Sequence, residues 1–446
     1  MKLFDHQKQT IDFYNSHDEV LNHSSPGTGK TRSCLEWIRE HRENGGGRVI
    51  VFAPKSILEA AWLADARKFT PELRVEVAHA HNRRNVLTQA ADVYVTNIDA
   101  LRAFAKDRNM LPSKLDSFII DESTSVKNPT SQRSKAAAKL LEPFKHRILM
   151  SGTPAPQGVL DLWHQAYICD RGERLGHSYY AFRNTVCEPI KVGAHQHAVQ
   201  WQEKPGVMEA VSSLLEPITI QFRIEDVLDM PERMEYSIEF VMEPKHIAAY
   251  ERLRSQGLLE FADGDINPLH AAALRTKILQ TASGAAYNEN GKAVSFSNHR
   301  YELILDLVEQ REATLVAFNW KHQLEGLKAE AEKRKLPYGY IDGSVPSNKR
   351  LELVEQFQRG ELRVLFAHPQ TAGHGLTLTR GTTVVWSSPI DNAELYTQFN
   401  ARIYRAGQTQ RTEIIKIVAK GTIEEIAFSQ LGKKLTAQEA LLELLR

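Results

Sequence analysis

The stretch Ser24-Ser25-Pro26-Gly27-Thr28-Gly29-Lys30-Thr31 is the feature that most constrains the fold. It lies between a short apolar run, Val20-Leu21, and residues 32–42, which read as a helix. Strand, glycine-bearing turn and helix, in that order, form a cradle for phosphate groups. Glycine permits the backbone conformations that turn successive N–H groups toward an anion, and the helix N-terminus adds partial positive charge. In such a cradle Pro26, Gly27, Thr28 and Gly29 shape the turn. Lys30 reaches the β- and γ-phosphates, and the Thr31 hydroxyl holds Mg²⁺. The full eight-residue pattern has glycine where Ser24 stands, so the match is to its Gly-x-Gly-Lys-Thr core.

A chain of 446 residues has room for about two to three domains. The formal net charge is +1, so a surface for nucleic acid has to come from local basic patches. Cys34, Cys169 and Cys187 lack Cys-x-x-Cys spacing, which argues against a disulfide framework or a zinc site. The histidines show no ligand spacing either. No apolar run reaches membrane-spanning length and the N-terminus lacks the apolar core of a signal peptide, so a cytoplasmic protein without membrane contact is expected.

Up to about residue 165, short apolar runs alternate with amphipathic segments. Strands are expected over 48–53, 73–78, 92–96, 117–120 and 147–150, with helices between them, including 57–69 and 134–141. Such alternation implies a parallel sheet covered on both faces, with ligands gathered at the carboxyl ends of its strands. The run Phe118-Ile119-Ile120 ends in Asp121-Glu122. Beside a phosphate loop, Asp121 is placed to hold Mg²⁺ and Glu122 to polarise an attacking water. Alone, the pair reads equally well as a solvated turn or a helix N-cap. A second strand runs into Ser151-Gly152-Thr153-Pro154.

Taken together, SPGTGKT, DEST and SGTP resemble motifs I, II and III of superfamily 2 helicase-like ATPases. Lys127-Asn128 and Phe4-Asp5-His6-Gln7 are similar to elements of the SWI2/SNF2 family. The resemblance implies that Gln7 reads the adenine edge, so that the nucleotide is ATP. It also implies that Ala53-Pro54-Lys55 and Val95-Thr96-Asn97, with Lys55, Thr96 and Asn97 as contacts, meet a nucleic-acid backbone. Ordinary strand-end turns account for these segments as well. Thr124 stands where the family has His, the residue that relays between the ATP site and nucleic acid.

Residues from about 165 to 235 break the alternation. They are turn-rich, as in Val192-Gly193-Ala194-His195-Gln196-His197, and aromatic at Trp163, Tyr179, Tyr180, Phe182 and Trp201. A local core with an interlobe strut is the expected role, although aromatics interleaved with Arg and His also suit contact with nucleic acid. Alternation returns with strands over 313–318, 338–341, 363–367 and 383–386. Near the end, Gln398, Arg402 and Arg405 fall near i, i+4 and i+7, which puts them on one helical face. Guanidinium groups in a cleft neutralise charge on a transferred phosphate, although a solvated basic face has the same spacing. The surrounding sequence resembles the family's motif VI, which implies that Arg402 and Arg405 are arginine fingers linked to the nucleotide by Gln398. Thr371-Ala372-Gly373-His374-Gly375-Leu376-Thr377-Leu378-Thr379 resembles motif V, implying backbone contacts at Thr371, Gly373 and Gly375. Two departures are Thr377 for the usual Asn, and Asp391-Asn392-Ala393 where the family has Trp-Asn-Pro. Gly421-Thr422-Ile423-Glu424-Glu425 resembles the element that opens a brace helix.

The expected architecture is therefore α/β: two RecA-like parallel-sheet lobes of the P-loop, superfamily 2 type with a helical or irregular insertion between them. Residues 1–165 form the ATP-binding lobe, 166–232 the insertion and linker, and 233–446 the second lobe with its brace helix. The resemblance implies an ATP- and Mg²⁺-dependent translocase on double-stranded DNA. The alternatives are a strand-separating DNA or RNA helicase and a nucleotide-gated DNA-binding protein.

Overall fold

The computed structural model describes residues 2–191, 199–262, 268–288, 290–373 and 375–444. The chain divides into two compact units, Met1–Asp229 with Lys434–Arg446, and Met230–Lys433. The turn-rich stretch 192–197 and His374 lie outside the described residues.

The first unit is built on seven strands: β1 (Glu19–Asn22), β2 (Arg48–Ala53), β3 (Val75–Ala78), β4 (Val93–Asn97), β5 (Leu115–Asp121), β6 (His146–Met150) and β9 (Thr219–Ile220). Their order is β3-β4-β2-β5-β6-β1-β9, with every pair parallel. Parallel neighbours need crossovers, which the helices supply, so the sheet is covered on both faces. Along β2 and β5 the side chains divide accordingly. Ile50, Phe52, Phe118 and Ile120 enter one core, whereas Val49, Val51 and Ile119 enter the other. Residues 166–232 do not stand apart from this unit. The helix Leu160–Asp170 runs through the expected boundary, and β9 extends the sheet beside β1. An antiparallel hairpin, β7 (Cys187–Lys191) and β8 (Val199–Glu203), packs on this core through Cys187 and Trp201.

The second unit holds β10 (Arg233–Phe240), β13 (Thr314–Ala317), β14 (Tyr338–Ile341), β15 (Val364–Ala367), β16 (Thr383–Trp386) and β17 (Thr412–Ala419) in the order β10-β17-β16-β13-β15-β14, again all parallel. A short hairpin, β11 (Ala285–Tyr287) with β12 (Ala293–Ser295), lies outside that sheet. Val316, Phe366, Val385, Ile415 and Ile417 form the centre of its core. The final helix, Ile423–Leu444, begins in this unit, while Lys434–Arg446 groups with the first.

Two local expectations change. Residues 57–69 are not one α-helix but a 3₁₀ turn (Lys55–Ile57), a π-helical turn (Leu58–Leu63) and a short α-helix (Ala64–Phe69). The helix carrying Gln398 spans Ala393–Asn400, so Arg402 and Arg405 lie beyond its end. Bonds to the backbone give the physical reason: the Gln398 carbonyl accepts from the Arg402 side chain at 2.8 Å, and the Arg402 carbonyl accepts from Leu378 N at 3.0 Å. The Asn400 side-chain oxygen accepts from the buried Trp386 indole at 3.0 Å, and the chain continues in tight turns closed by Arg402 N to Phe399 O at 3.1 Å.

Candidate functional site

Sheet register brings the three motif loops of the first unit level. Asn22 pairs with Met150, and Met150 with Asp121, so β1, β6 and β5 end side by side. The glycine loop, the 151–154 turn and the acidic pair therefore leave neighbouring strands at the same sheet edge.

In the glycine loop both glycines have positive φ, 89° at Gly27 and 87° at Gly29, where a side chain is strained. Gly29 caps the helix Lys30–Glu43, whose first N–H groups have no intrahelical acceptor. A Cβ on Gly29 would stand 2.3 Å from Nε2 of Gln7. Gln7 is buried, donates to the Thr28 carbonyl at 3.3 Å and accepts from Phe4 N at 3.1 Å. His6 Nε2 meets the same Thr28 carbonyl at 2.8 Å. The helix Asp5–Ser16 thus fixes the loop from outside the motif. The Lys30 ammonium donates to the carbonyls of Ser24 at 2.6 Å and Ser25 at 3.2 Å, which holds its charge within the turn. Burial, followed by the Lys30 charge, lowers the pKa of His23 to about 3, so this residue is neutral beside the loop.

Asp121 is buried at the end of β5. The Trp62 indole donates to its Oδ2 at 2.9 Å, and the Glu122 N–H to its Oδ1 at 3.1 Å. Glu122 has φ 57°, a left-handed conformation that costs a non-glycine residue roughly 1–3 kcal/mol. This residue swings the chain from the strand into the 3₁₀ turn Ser123–Val126. The Ser123 hydroxyl donates to Gln165 Oε1 at 2.6 Å, and Gln165 Nε2 donates to the Pro154 carbonyl at 2.7 Å. One buried amide therefore ties the acidic motif to the 151–154 turn. That turn in turn rests on the glycine loop, since a Cβ on Gly152 would stand 2.6 Å from Pro26 Cδ.

These donors suit a magnesium nucleotide. Among the described residues no group of three or more His, Cys, Asp or Glu side chains could hold a metal alone. Mg²⁺ arriving with phosphates needs only one or two protein ligands, and Thr31 and Asp121 are of the right oxygen type.

The residues implied as nucleic-acid contacts are placed unevenly. Lys55 is exposed just after β2. Thr96 is fully buried, and its hydroxyl donates to the Ala78 carbonyl at 2.7 Å, so it serves the sheet and not a surface ligand. Asn97 accepts from Arg83 Nη2 at 2.7 Å.

In the second unit motifs V and VI meet although no single helix carries the latter. Arg402 Nη1 and Arg405 Nη1 donate to the Leu376 carbonyl at 3.2 and 3.1 Å, and Arg402 Nε to the Gln398 carbonyl at 2.8 Å. A Cβ on Gly373 would meet Gln398 Oε1 at 3.6 Å and the Pro369 carbonyl at 2.6 Å. Gly375 has φ 73°, and Thr371 is half-buried in the short helix Pro369–Ala372. Trp62 and Gln165 are left unmarked by the sequence, with no local signal to draw attention to them. His6 stands in the sequence only as part of the Phe4–Gln7 element, without a role of its own.

The SNF2-related domain family matches residues 6–290, and the helicase conserved C-terminal domain family matches residues 299–407. Protein p41 of Acyrthosiphon pisum secondary endosymbiont phage 1 is 29% identical, over 94% of this chain and 93% of its own length. The SWI/SNF-related matrix-associated actin-dependent regulator of chromatin subfamily A-like protein 1 of Xenopus tropicalis is 27% identical, over 97% of this chain and 44% of its own. An uncharacterized ATP-dependent helicase of Mycoplasma pneumoniae is 23% identical, over 84% of this chain and 35% of its own. The chain thus spans nearly all of the phage protein but under half of the other two. The solved Sulfolobus solfataricus SWI2/SNF2 ATPase core in complex with dsDNA aligns with TM-score 0.45 and 19% identity, over 100% of this chain and 97% of that one.

Proposed function

Because this chain belongs to the SNF2-related family, we propose that it hydrolyses ATP and uses the cycle to move along double-stranded DNA. The observation that carries the hydrolytic part is the level ending of β1, β6 and β5, which gathers Lys30, the 151–154 turn and Asp121-Glu122 at one edge. The phosphates of ATP draw the Lys30 ammonium from the Ser24 and Ser25 carbonyls, and the N–H groups of the glycine loop and helix N-terminus bind them. Gln7, held against Gly29, reads the adenine. Thr31 and Asp121 would hold Mg²⁺, which would neutralise phosphate charge. Glu122 orients the attacking water and accepts its proton. Arg402 and Arg405 supply positive charge to the departing phosphate, with Gln398 setting the backbone that positions Arg402. The Gln165 amide couples the acidic motif to the 151–154 turn, so a change at the phosphates is felt there.

The DNA part rests on family membership. It is tested by measuring ATP turnover without nucleic acid and with single-stranded DNA, duplex DNA or RNA, in the unsubstituted protein and in Lys30→Ala and Arg405→Ala. Stimulation by duplex DNA that both substitutions abolish is the expected result. Stimulation by single strands or RNA alone, or release of a labelled strand from a tailed duplex, points instead to a strand-separating helicase. Turnover indifferent to any nucleic acid means that Thr124, in place of the family's His, marks lost coupling.

A further inference from the structure

The first unit has a groove of about 610 Å³ whose lining includes none of the nucleotide-site residues. The helices Ala100–Lys106 and Gln132–Leu140 form its sides, and the helix Leu160–Asp170 contributes Trp163 and Tyr167. Arg102, Lys106, Lys135 and Lys139 line it, all four exposed, and no carboxylate does. Each helix supplies two cations four residues apart, about 6 Å along its axis. Basic side chains nearby are neutralised: Arg133 by Asp99 at 2.6 Å, Lys127 by Asp161 at 2.8 Å, Arg108 by Glu142 at 3.4 Å. The four in the groove make no ion pair among the described residues. Like charges one turn apart cost a helix a few tenths of a kcal/mol per pair, and gathered in a concave surface they raise a field that attracts an anion.

The aromatic side chains complete the fit. Trp163 is buried with its N–H satisfied by the carbonyls of Leu175 and Gly176, both at 3.2 Å, and Tyr167 stacks on it with ring centres 5.3 Å apart. Rows of cations beside an apolar surface match a chain in which phosphates alternate with sugars. A smaller cavity of about 340 Å³ shares Arg102 and Gln132 with the groove and reaches Thr124 and Asn128. One end of the groove therefore approaches the acidic motif.

We propose that this groove docks the phosphodiester backbone of duplex DNA, with Arg102, Lys106, Lys135 and Lys139 neutralising phosphates and Thr124 at the end nearest the ATP site. The proposal rests on the DNA-directed reading above. Its site is separate from the motif residues that the family resemblance implies as contacts.

The test is fluorescence anisotropy with a labelled DNA duplex across a salt series, using the unsubstituted protein and Arg102→Gln/Lys106→Gln/Lys135→Gln/Lys139→Gln. Turnover without DNA should be unchanged. Duplex affinity should fall about 100-fold at ~0.1 M salt, and the slope of log affinity against log salt should flatten by about 0.9 per lost phosphate contact. If the fourfold variant melts early, the pairs Arg102→Gln/Lys106→Gln and Lys135→Gln/Lys139→Gln are compared, each expected to remove about half of the slope change. Unchanged affinity and slope in a protein that duplex DNA still stimulates overturns the groove and leaves the function standing. Loss of affinity confined to single strands or RNA overturns the duplex assignment. An unsubstituted protein that neither binds duplex DNA nor responds to it removes the functional reading and the groove together.

Discussion

The indole of Trp62 takes one oxygen of Asp121 and the Glu122 amide takes the other, so the carboxylate is oriented before any ligand arrives. Replacing Trp62 by Phe keeps a ring but removes the indole's bond to Oδ2. The expected result is a loss of about 1–3 kcal/mol in stability, turnover roughly tenfold lower, and a raised Mg²⁺ requirement. The Mg²⁺ dependence of turnover separates orientation from simple loss of fold, because an effect on stability alone leaves it unmoved. Gly29→Ala tests the opposite face of the site. Its Cβ would press on Gln7 Nε2 in a backbone conformation that disfavours side chains. Nucleotide affinity is expected to fall at least about tenfold, read by titration with a fluorescent ATP analogue. Lys30, Gly29 and Asp121 are legible in the sequence because their spacing reports local backbone geometry. Trp62 is not, since its partner lies 59 positions away and its own segment shows only an amphipathic pattern.

Among the elements, the β-strands were the most readable, because strands buried on both faces appear as continuous apolar runs. Helical spacing is present in the sequence around Arg402, yet Leu378 N donates to the Arg402 carbonyl and the turns after Asn400 replace the helix while still directing both arginines to Leu376. Periodicity records where side chains fall, and a tertiary hydrogen bond decides whether one helix carries them. The start of the last helix shows a different dependence on tertiary partners. Glu424 is fully buried, with its Oε2 2.8 Å from Arg300 Nη2 and 2.8 Å from the Ala419 amide. Arg300 also donates to the carbonyls of Ser387 at 2.6 Å and Ala282 at 2.9 Å. Glu424→Gln leaves a buried guanidinium without its counter-charge and should cost about 3–5 kcal/mol. Chemical denaturation should show this loss, whereas Glu425→Gln, on a more exposed neighbour, should be nearly silent.

At the scale of the whole molecule, buried histidines set the response to acid. Burial lowers His23 to about 3, and His164 and His322 to about 4 each. The unfolded chain protonates these rings near the ordinary value of about 6.5, well before the folded protein does. Above that pH they impose no penalty. As the pH falls from there toward 4, each withdraws up to about 1.4 kcal/mol of stability per pH unit. Melting temperature should therefore decline steadily below about pH 6.5, and His322→Phe should lessen the decline; a flat profile between pH 7 and 5 would contradict this. A last consequence concerns the order in which the chain is made. β10 opens the second sheet at its edge, and among the described residues its sole sheet neighbour is β17, about 180 residues later in the chain. On the ribosome, at roughly 5–20 residues per second, β10 waits about 10–35 s before its partner is synthesised. Through that interval its backbone amides and carbonyls lack their sheet partner, so the nascent second unit is exposed to mispairing until β17 emerges.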